Sequence, residues 1–175
     1  MTRQGGPVDR RVVPQPVDEV ARSAVFTLMA PGWIPPEHRV TQAYGFCFTA
    51  AGEVVLVATA AGFWNLPGGQ VEPGERPPET LVREVAEEAC AQVISSRFLA
   101  CQHVWDPQAP AGPRSHYQTR WWARVELQPW RPAHETVERR LVLPERVVGA
   151  LSWRRKEIAA VLLEQALAAE HAYQP

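Results

Sequence analysis

The clearest periodicity lies toward the end of the chain. Beyond Pro144, the run EIAAVLLEQALAAEHA carries an apolar stripe at Ile158, Val161, Leu162, Ala166 and Ala169, which predicts a closing amphipathic helix. A second run without breakers, ETLVREVAEEA, predicts a helix over 78–90, with Val82, Val85, Ala86 and Ala89 on one face. A third, DEVARSAVFTLM (18–29), sets Val17, Val20, Ala21, Ala24, Val25 and Leu28 at helical spacing. Asp18 is its N-cap, so a short helix is expected there too. Strand patterns occupy 40–49 and 53–59, with AAG between them as a hairpin connection, and then 97–105, 116–127 and 137–143. The segment 31–38 breaks regular structure, 61–69 reads as a loop, and 106–115 is a longer loop with three prolines.

This order of strands, helix, strands and helix predicts an α/β (α+β) domain, a mixed sheet covered by helices. The length of 175 residues suits one such domain, taken as 17–175 behind a Gly- and Pro-rich N-terminal arm at 1–16. No internal repeat or low-complexity block interrupts it.

Composition narrows the function classes. With 46% hydrophobic and 21% charged residues the chain is an ordinary globular one. A net charge of −1 provides no basic field, which argues against general nucleic-acid binding but leaves room for a local phosphate site. No apolar run approaches a membrane span and the N-terminus has no signal-peptide core, so no membrane partner is expected. The three cysteines, Cys47, Cys90 and Cys101, form no CxxC pair, as expected of reduced thiols in a cytoplasmic protein. Cys101 and His103 stand two apart, too few ligands for structural zinc.

Against that near-neutral background, one stretch is anomalous. GGQVEPGERPPETLVREVAEEACA (68–91) packs six acids: Glu72, Glu75, Glu79, Glu84, Glu87 and Glu88. At 100° per residue Glu84, Glu87 and Glu88 share one helical face, opposite the apolar one. A solvated charged face is the plain explanation, yet carboxylates at i, i+3 and i+4 repel one another by a few tenths of a kcal/mol per pair. Arg83 offsets part of that, with Glu79 and Glu87 each four residues away. The same three carboxylates form a hard-oxygen face suited to a divalent cation such as Mg²⁺, and Gly68-Gly69 lets backbone carbonyls approach the same point. Pro77 and Pro78 suit the first turn of the helix, whereas Arg76 is a poor N-cap.

The stretch resembles the Nudix box, G-x5-E-x7-R-E-U-x-E-E-x-G-U with U a bulky aliphatic residue. Gly69, Glu75, Arg83, Glu84, Val85, Glu87 and Glu88 match it in order and spacing, and NLPGGQVEPGE (65–75) is similar to the usual approach to the box. Cys90 replaces the final glycine, which ends the helix in the family, and Ala91 replaces the final aliphatic. The resemblance implies a Nudix-like mixed sheet between helices. It also implies Mg²⁺-dependent hydrolysis of a nucleoside diphosphate linked to another group, with Mn²⁺ as an alternative cation. Gly68, Glu84, Glu87 and Glu88 would hold the metal, Arg83 would orient the glutamates and Glu75 would support them. The base is Glu84 or a glutamate outside the box, for which Glu135 and Glu138 are candidates.

The box is nearly silent on substrate. Trp64, Tyr117, Trp121 and Arg120 are the chosen candidates for substrate contact; Phe63, Trp105, Trp122, Arg114 and Arg124 are weighed beside them. Pro107 stands 16 residues past the box, a position that marks some ADP-ribose-hydrolysing relatives. This keeps ADP-ribose and nucleotide sugars beside (d)NTPs. The competing class is a catalytically silent Nudix-fold nucleotide-binding or regulatory domain. A homodimer built on the Pro-rich arm also stays open.

Overall fold

A computed structural model describes residues 24–132 and 135–174. Eight strands form one sheet: β1 (Val25–Leu28), β2 (Val40–Phe48), β3 (Val54–Thr59), β4 (Trp64–Asn65), β5 (Gly68–Gln70), β6 (Ala91–Asp106), β7 (Arg114–Leu127) and β8 (Thr136–Val142). The helices are α1 (Pro77–Ala89), α2 (Pro144–Ala150) and α3 (Lys156–His171), and a 3₁₀ turn at Glu37–Arg39 leads into β2.

The strand order is β1-β6-β7-β2-β3-β4, with β5 added to β2 and β8 to β3. The β2–β7 pairing is parallel and the others are antiparallel. One edge of β2 serves two partners. Gln42–Tyr44 pair with β5, whereas Phe48 pairs with Val54 of β3. At the fork the Gly45 amide donates to the Pro67 carbonyl at 2.9 Å. This split brings Gly68 and Gly69 to the middle of the sheet instead of its rim.

Two layers cover the sheet. Phe46, Phe48, Leu56, Leu66 and Trp122 pack against α2 and α3 through Val147, Leu162 and Ala166, and against Leu151 just past α2. On the opposite face Cys47, Val55, Val57, Ala123 and Val125 pack against Leu81, Val85 and Ala89 of α1. Alternation along β2 and β7 explains the division, since successive strand side chains point to opposite faces. A Cβ on Gly45 would stand 2.7 Å from Leu81 Cδ1, so glycine at this position sets how closely α1 approaches β2.

Several expectations are corrected. Val25–Leu28 form an edge strand on β6 instead of part of a helix, because four backbone pairs to Gln102–Trp105 outweigh a weak local pattern. The rest of the expected 18–29 helix before Ala24, and the 1–16 arm, lie outside the described residues. The 61–69 loop contains β4 and the start of β5, both too short to show alternation. The strand expected at 97–105 begins at Ala91, straight after α1. Strand pairing also extends into 106–115 at both ends, leaving 107–113 as the turn. Pro144–Ala150 forms a helix that the sequence reading missed.

The face assignment on α1 is corrected in half: Val85 and Ala89 are buried, Val82 and Ala86 are not. Val82 is 48% exposed and Ala86 is exposed, while Thr80, Leu81, Val85 and Ala89 are buried. The buried arc therefore turns toward Glu84 and Glu88 instead of away from them. Cys47, Cys90 and Cys101 are free and buried, and no helix among the described residues is long and apolar enough to cross a membrane.

Candidate active site

Helix α1 starts at Pro77 behind Arg76, whose backbone N–H donates to Glu79 Oε2 at 2.8 Å. Glu79 is thus committed to the helix start and does not pair with Arg83, as sequence spacing had suggested. At the other end Cys90 adopts φ +46°, the left-handed geometry that favours glycine. Arg139 of β8 compensates: its Nη1 donates to the carbonyls of Ala89 at 2.7 Å and Cys90 at 3.0 Å. The missing glycine therefore does not lengthen α1, which ends at Ala89.

Arg83 organises the acids. Its Nε and Nη2 grip Glu75 bidentately at 2.9 and 3.0 Å. Its Nη1 reaches Glu84 Oε1 at 2.9 Å and Glu87 Oε2 at 3.2 Å, and Nη2 also donates to the Gln70 carbonyl. Glu75 further accepts from Thr80 Oγ1 and the Glu72 amide. Bonding to Arg83 holds the Glu75 carboxyl down at about 2, and the same contact raises the Arg83 guanidinium above its ordinary value.

Glu84 and Glu88 behave in the opposite way. Burial pushes Glu84 above the usual carboxylate value, against the pull of Arg83. Burial pushes Glu88 to about 7; the amide of Gly68, donating to Oε2 at 3.0 Å, works against that shift, and the charges of Glu84, Glu135 and Glu87 add to it. The two glycines are required by contact. A Cβ at Gly68, which has φ +146°, would collide with the Ala43 carbonyl, and one at Gly69 would collide with the Glu84 carboxylate.

Arg83 ties Glu84 and Glu87, and among the described residues no three His, Cys, Asp or Glu side chains stand close enough to cage an ion. The donor set nevertheless suits a hard cation. It is oxygen only, and desolvation together with mutual repulsion makes Glu84 and Glu88 costly to ionise unless positive charge arrives.

The two outside glutamates separate. Glu135 stands near enough for its charge to act on Glu88. Glu138 pairs at 3.0 Å with Arg140 on the surface, both more than half exposed.

The four expected substrate contacts divide between the two faces of the sheet. Trp121 packs under α1, edge-on to Phe98 at 5.6 Å between centroids, with its N–H on Thr119 Oγ1. Tyr117 belongs to a third cluster with Val40 and Cys101, against Trp33 and His103. Trp64 and Arg120 lie on the other face. Trp64 carries the Arg140 guanidinium 4.1 Å from its ring centre, and its backbone bonds to Ser152. Arg120 is 5% exposed, with the rings of Tyr44 and Trp153 at 4.9 and 5.5 Å. Tyr44, Gln102, Gln118 and Trp153 were missed by the sequence reading, since nothing in their spacing links them.

Among the others, Trp122 is core and donates to Glu170, which also pairs with Arg124. Trp105 is 41% exposed on β6, Phe63 lies just before β4 and Arg114 opens β7. Pro107 sits in the turn between β6 and β7. His103 Nε2 lies 2.7 Å from Ser115 Oγ, so it has a hydrogen-bond partner of its own.

A sheet forked beside a glycine pair, with an arginine-centred acid cluster on the adjoining helix, defines a class, and comparison with known proteins agrees. The family model for the NUDIX domain matches residues 38–165, so the chain belongs to the Nudix family. Among solved structures, a mutant form of the Bacillus subtilis pyrophosphohydrolase BsRppH superposes with a TM-score of 0.68 at 22% identity. The match covers 82% of this chain and 90% of that one. A C. elegans Ap4A hydrolase gives 0.54 at 19% identity over 75% and 99% of the chains. The Nudix domain of Shewanella oneidensis NrtR, complexed with ADP ribose, gives 0.57 at 18% over 77% and 89%. At these identities the likeness is one of fold.

Proposed function

We propose that this protein is a divalent-metal-dependent Nudix pyrophosphohydrolase that cleaves a phosphoanhydride bond in a nucleoside diphosphate linked to another group. The single observation behind this is the Arg83-centred cluster, in which Arg83 meets Glu75, Glu84 and Glu87 of the box within 3.2 Å. BsRppH and the Ap4A hydrolase, both hydrolases by name, make the reading concrete.

Glu84, Glu87 and Glu88, with the Gly68 carbonyl, would hold Mg²⁺ or Mn²⁺. Bound there, the cation supplies neutralisation of the phosphate charge and polarises phosphorus toward attack. The remaining work falls to this chain's own residues. Glu75 fixes Arg83, and Arg83 fixes Glu84 and Glu87, so the acid face is set before substrate arrives. Gly68 N–H orients Glu88. Glu135, exposed yet close enough to influence Glu88, is the preferred proton acceptor from the attacking water; Glu84 is less suited while bonded to Arg83. Water adds to phosphorus, the bridging P–O bond breaks, and two phosphate-terminated products leave.

The test is product release from a panel of (d)NTPs, ADP-ribose, nucleotide sugars, dinucleoside polyphosphates and coenzyme A, with and without Mg²⁺. Metal-dependent release that is abolished in Glu88→Gln with a retained fold is expected. Silence across the panel would instead favour a nucleotide-binding domain.

A further inference from the structure

Two arginines four residues apart on β7 lie on the same face of the sheet, and only one has a counter-charge. Arg124 pairs with Glu170 of α3 and donates to the Thr49 carbonyl at 2.7 Å. Arg120 pairs with no carboxylate among the described residues. Its Nη2 donates to Gln102 Oε1 at 2.6 Å and Gln118 Oε1 at 3.0 Å, and its Nη1 to the Thr119 carbonyl at 3.1 Å. Its Nε is buried without a partner. The rings flanking the guanidinium, Tyr44 and Trp153, are neutral.

A buried cation held only by neutral groups lowers stability compared with an apolar side chain of similar volume. Its three hydrogen bonds and two ring contacts offset part of that cost, and no anion among the described residues offsets the rest. The surroundings of Arg120 are also not sealed: Tyr44, Gln118 and Trp153 are only part-buried.

Its position relates it to the acid cluster. Gly68, Tyr44 and Arg120 are register partners on three adjacent strands, β5, β2 and β7. Two strand spacings put the Arg120 backbone roughly 10 Å from that of Gly68, with the Arg120 side chain on the sheet face opposite α1. Tyr44 lies between them and senses the charge of Arg120 on one side and those of Glu88 and Glu84 on the other.

We propose that Arg120, framed by Tyr44, Trp153, Gln102 and Gln118, recognises a phosphate of the substrate that lies outside the cleaved anhydride. This rests on the hydrolase reading and narrows it to nucleotides with at least one phosphate beyond the two being separated. An arginine fork suits phosphate oxygens. The extra phosphate has two sources: a longer polyphosphate chain, or a phosphomonoester elsewhere on the nucleotide.

Two measurements test it. The first is binding of inorganic pyrophosphate in EDTA at constant ionic strength, followed by thermal shift and calorimetry. Wild type is expected to bind and be stabilised, and Arg120→Met to lose that response. Should Arg120→Met fail to fold, Arg120→Lys serves the same purpose. Pyrophosphate binding weakened about tenfold or more supports the site, and unchanged binding overturns it. The second compares substrates that differ by one phosphate: ATP against ADP, and NADPH against NADH. A preference of about 10- to 100-fold for the richer member is expected, carried by KM and lost in Arg120→Met. Whichever pair shows it identifies the source. If neither pair discriminates in wild type, or discrimination survives in Arg120→Met, the proposal fails. Absence of all turnover would sink the hydrolase reading alone, because the EDTA binding measurement needs no catalysis.

Discussion

Arg83 and Arg120 occupy opposite surroundings within one sheet-and-helix unit. Arg83 sits among Glu75, Glu84 and Glu87, and bonding to Glu75 raises its pKa. Arg120 sits among aromatic rings and amides, and burial lowers its pKa to about 10. In the first region the cation holds anions that would otherwise repel one another. In the second the cation itself lacks an anion. The contrast separates two kinds of charge: one that the fold uses to build an acid cluster, and one that it carries at a cost without a counter-ion.

The sharpest break in this comparison is catalytic. Glu135→Gln is expected to lower kcat by at least about 100-fold, a typical range for loss of a positioned base, while Glu138→Gln changes it less than about twofold. Equal effects in steady-state assays would return the base to Glu84.

Next come the arginines themselves. Arg83→Met leaves Glu75, Glu84 and Glu87 facing one another, and is expected to destabilise by about 1–3 kcal/mol in urea denaturation. That range allows for the partial exposure of the cluster. Arg120→Met is expected to cost less, because loss of the unpaired buried charge offsets the hydrogen bonds lost from Gln102, Gln118 and Thr119. Matching losses in both variants would erase the distinction.

A smaller effect concerns pH in metal-free protein. Glu75 is held at about 2, below its ordinary 4.5, so its bond to Arg83 stabilises the fold above 4.5 and is lost as pH falls toward 2. Glu88 is raised to about 7, so the fold favours its protonated form. That preference is complete below 4.5 and is lost as pH rises through 7. In EDTA the melting temperature should therefore fall by a few degrees between about pH 5 and 8. Glu88→Gln should flatten this limb and leave the acid limb intact.

The smallest effect is at the helix end. Cys90→Gly removes the left-handed strain but also the Sγ that accepts from the Arg131 amide at 3.3 Å. A gain of about 0.5–1 kcal/mol is expected from chemical denaturation. A loss would mean that the Sγ contact outweighs backbone strain.

The acid cluster was largely legible in the sequence. Glu84, Glu87 and Glu88 fall on neighbouring helical positions because a helix has one pitch, so sequence spacing is spatial spacing. Glu75 and Gly69 followed from the box spacing. Which side of α1 faces the sheet was not legible. Val82 and Ala86 are apolar like Val85 and Ala89, and the packing of Leu81, Val85 and Ala89 on the sheet, with Leu81 against Gly45, selects the buried arc. Val25–Leu28 were misread because an edge strand draws its stability from a partner some 75 residues away.

By itself the sequence determined the charged helix, its start at paired prolines and the spacing of Glu75, Arg83, Glu84 and Glu87, whose mutual contacts are local in the chain. Tertiary structure decided the rest. The parallel pairing of β2 with β7 places Tyr44 beside Arg120, the turn before α3 delivers Trp153, and β6 supplies Gln102. Sheet neighbours are chosen by long-range pairing, which no local period encodes. A buried cation without a counter-ion can therefore be recognised only once its surroundings are assembled.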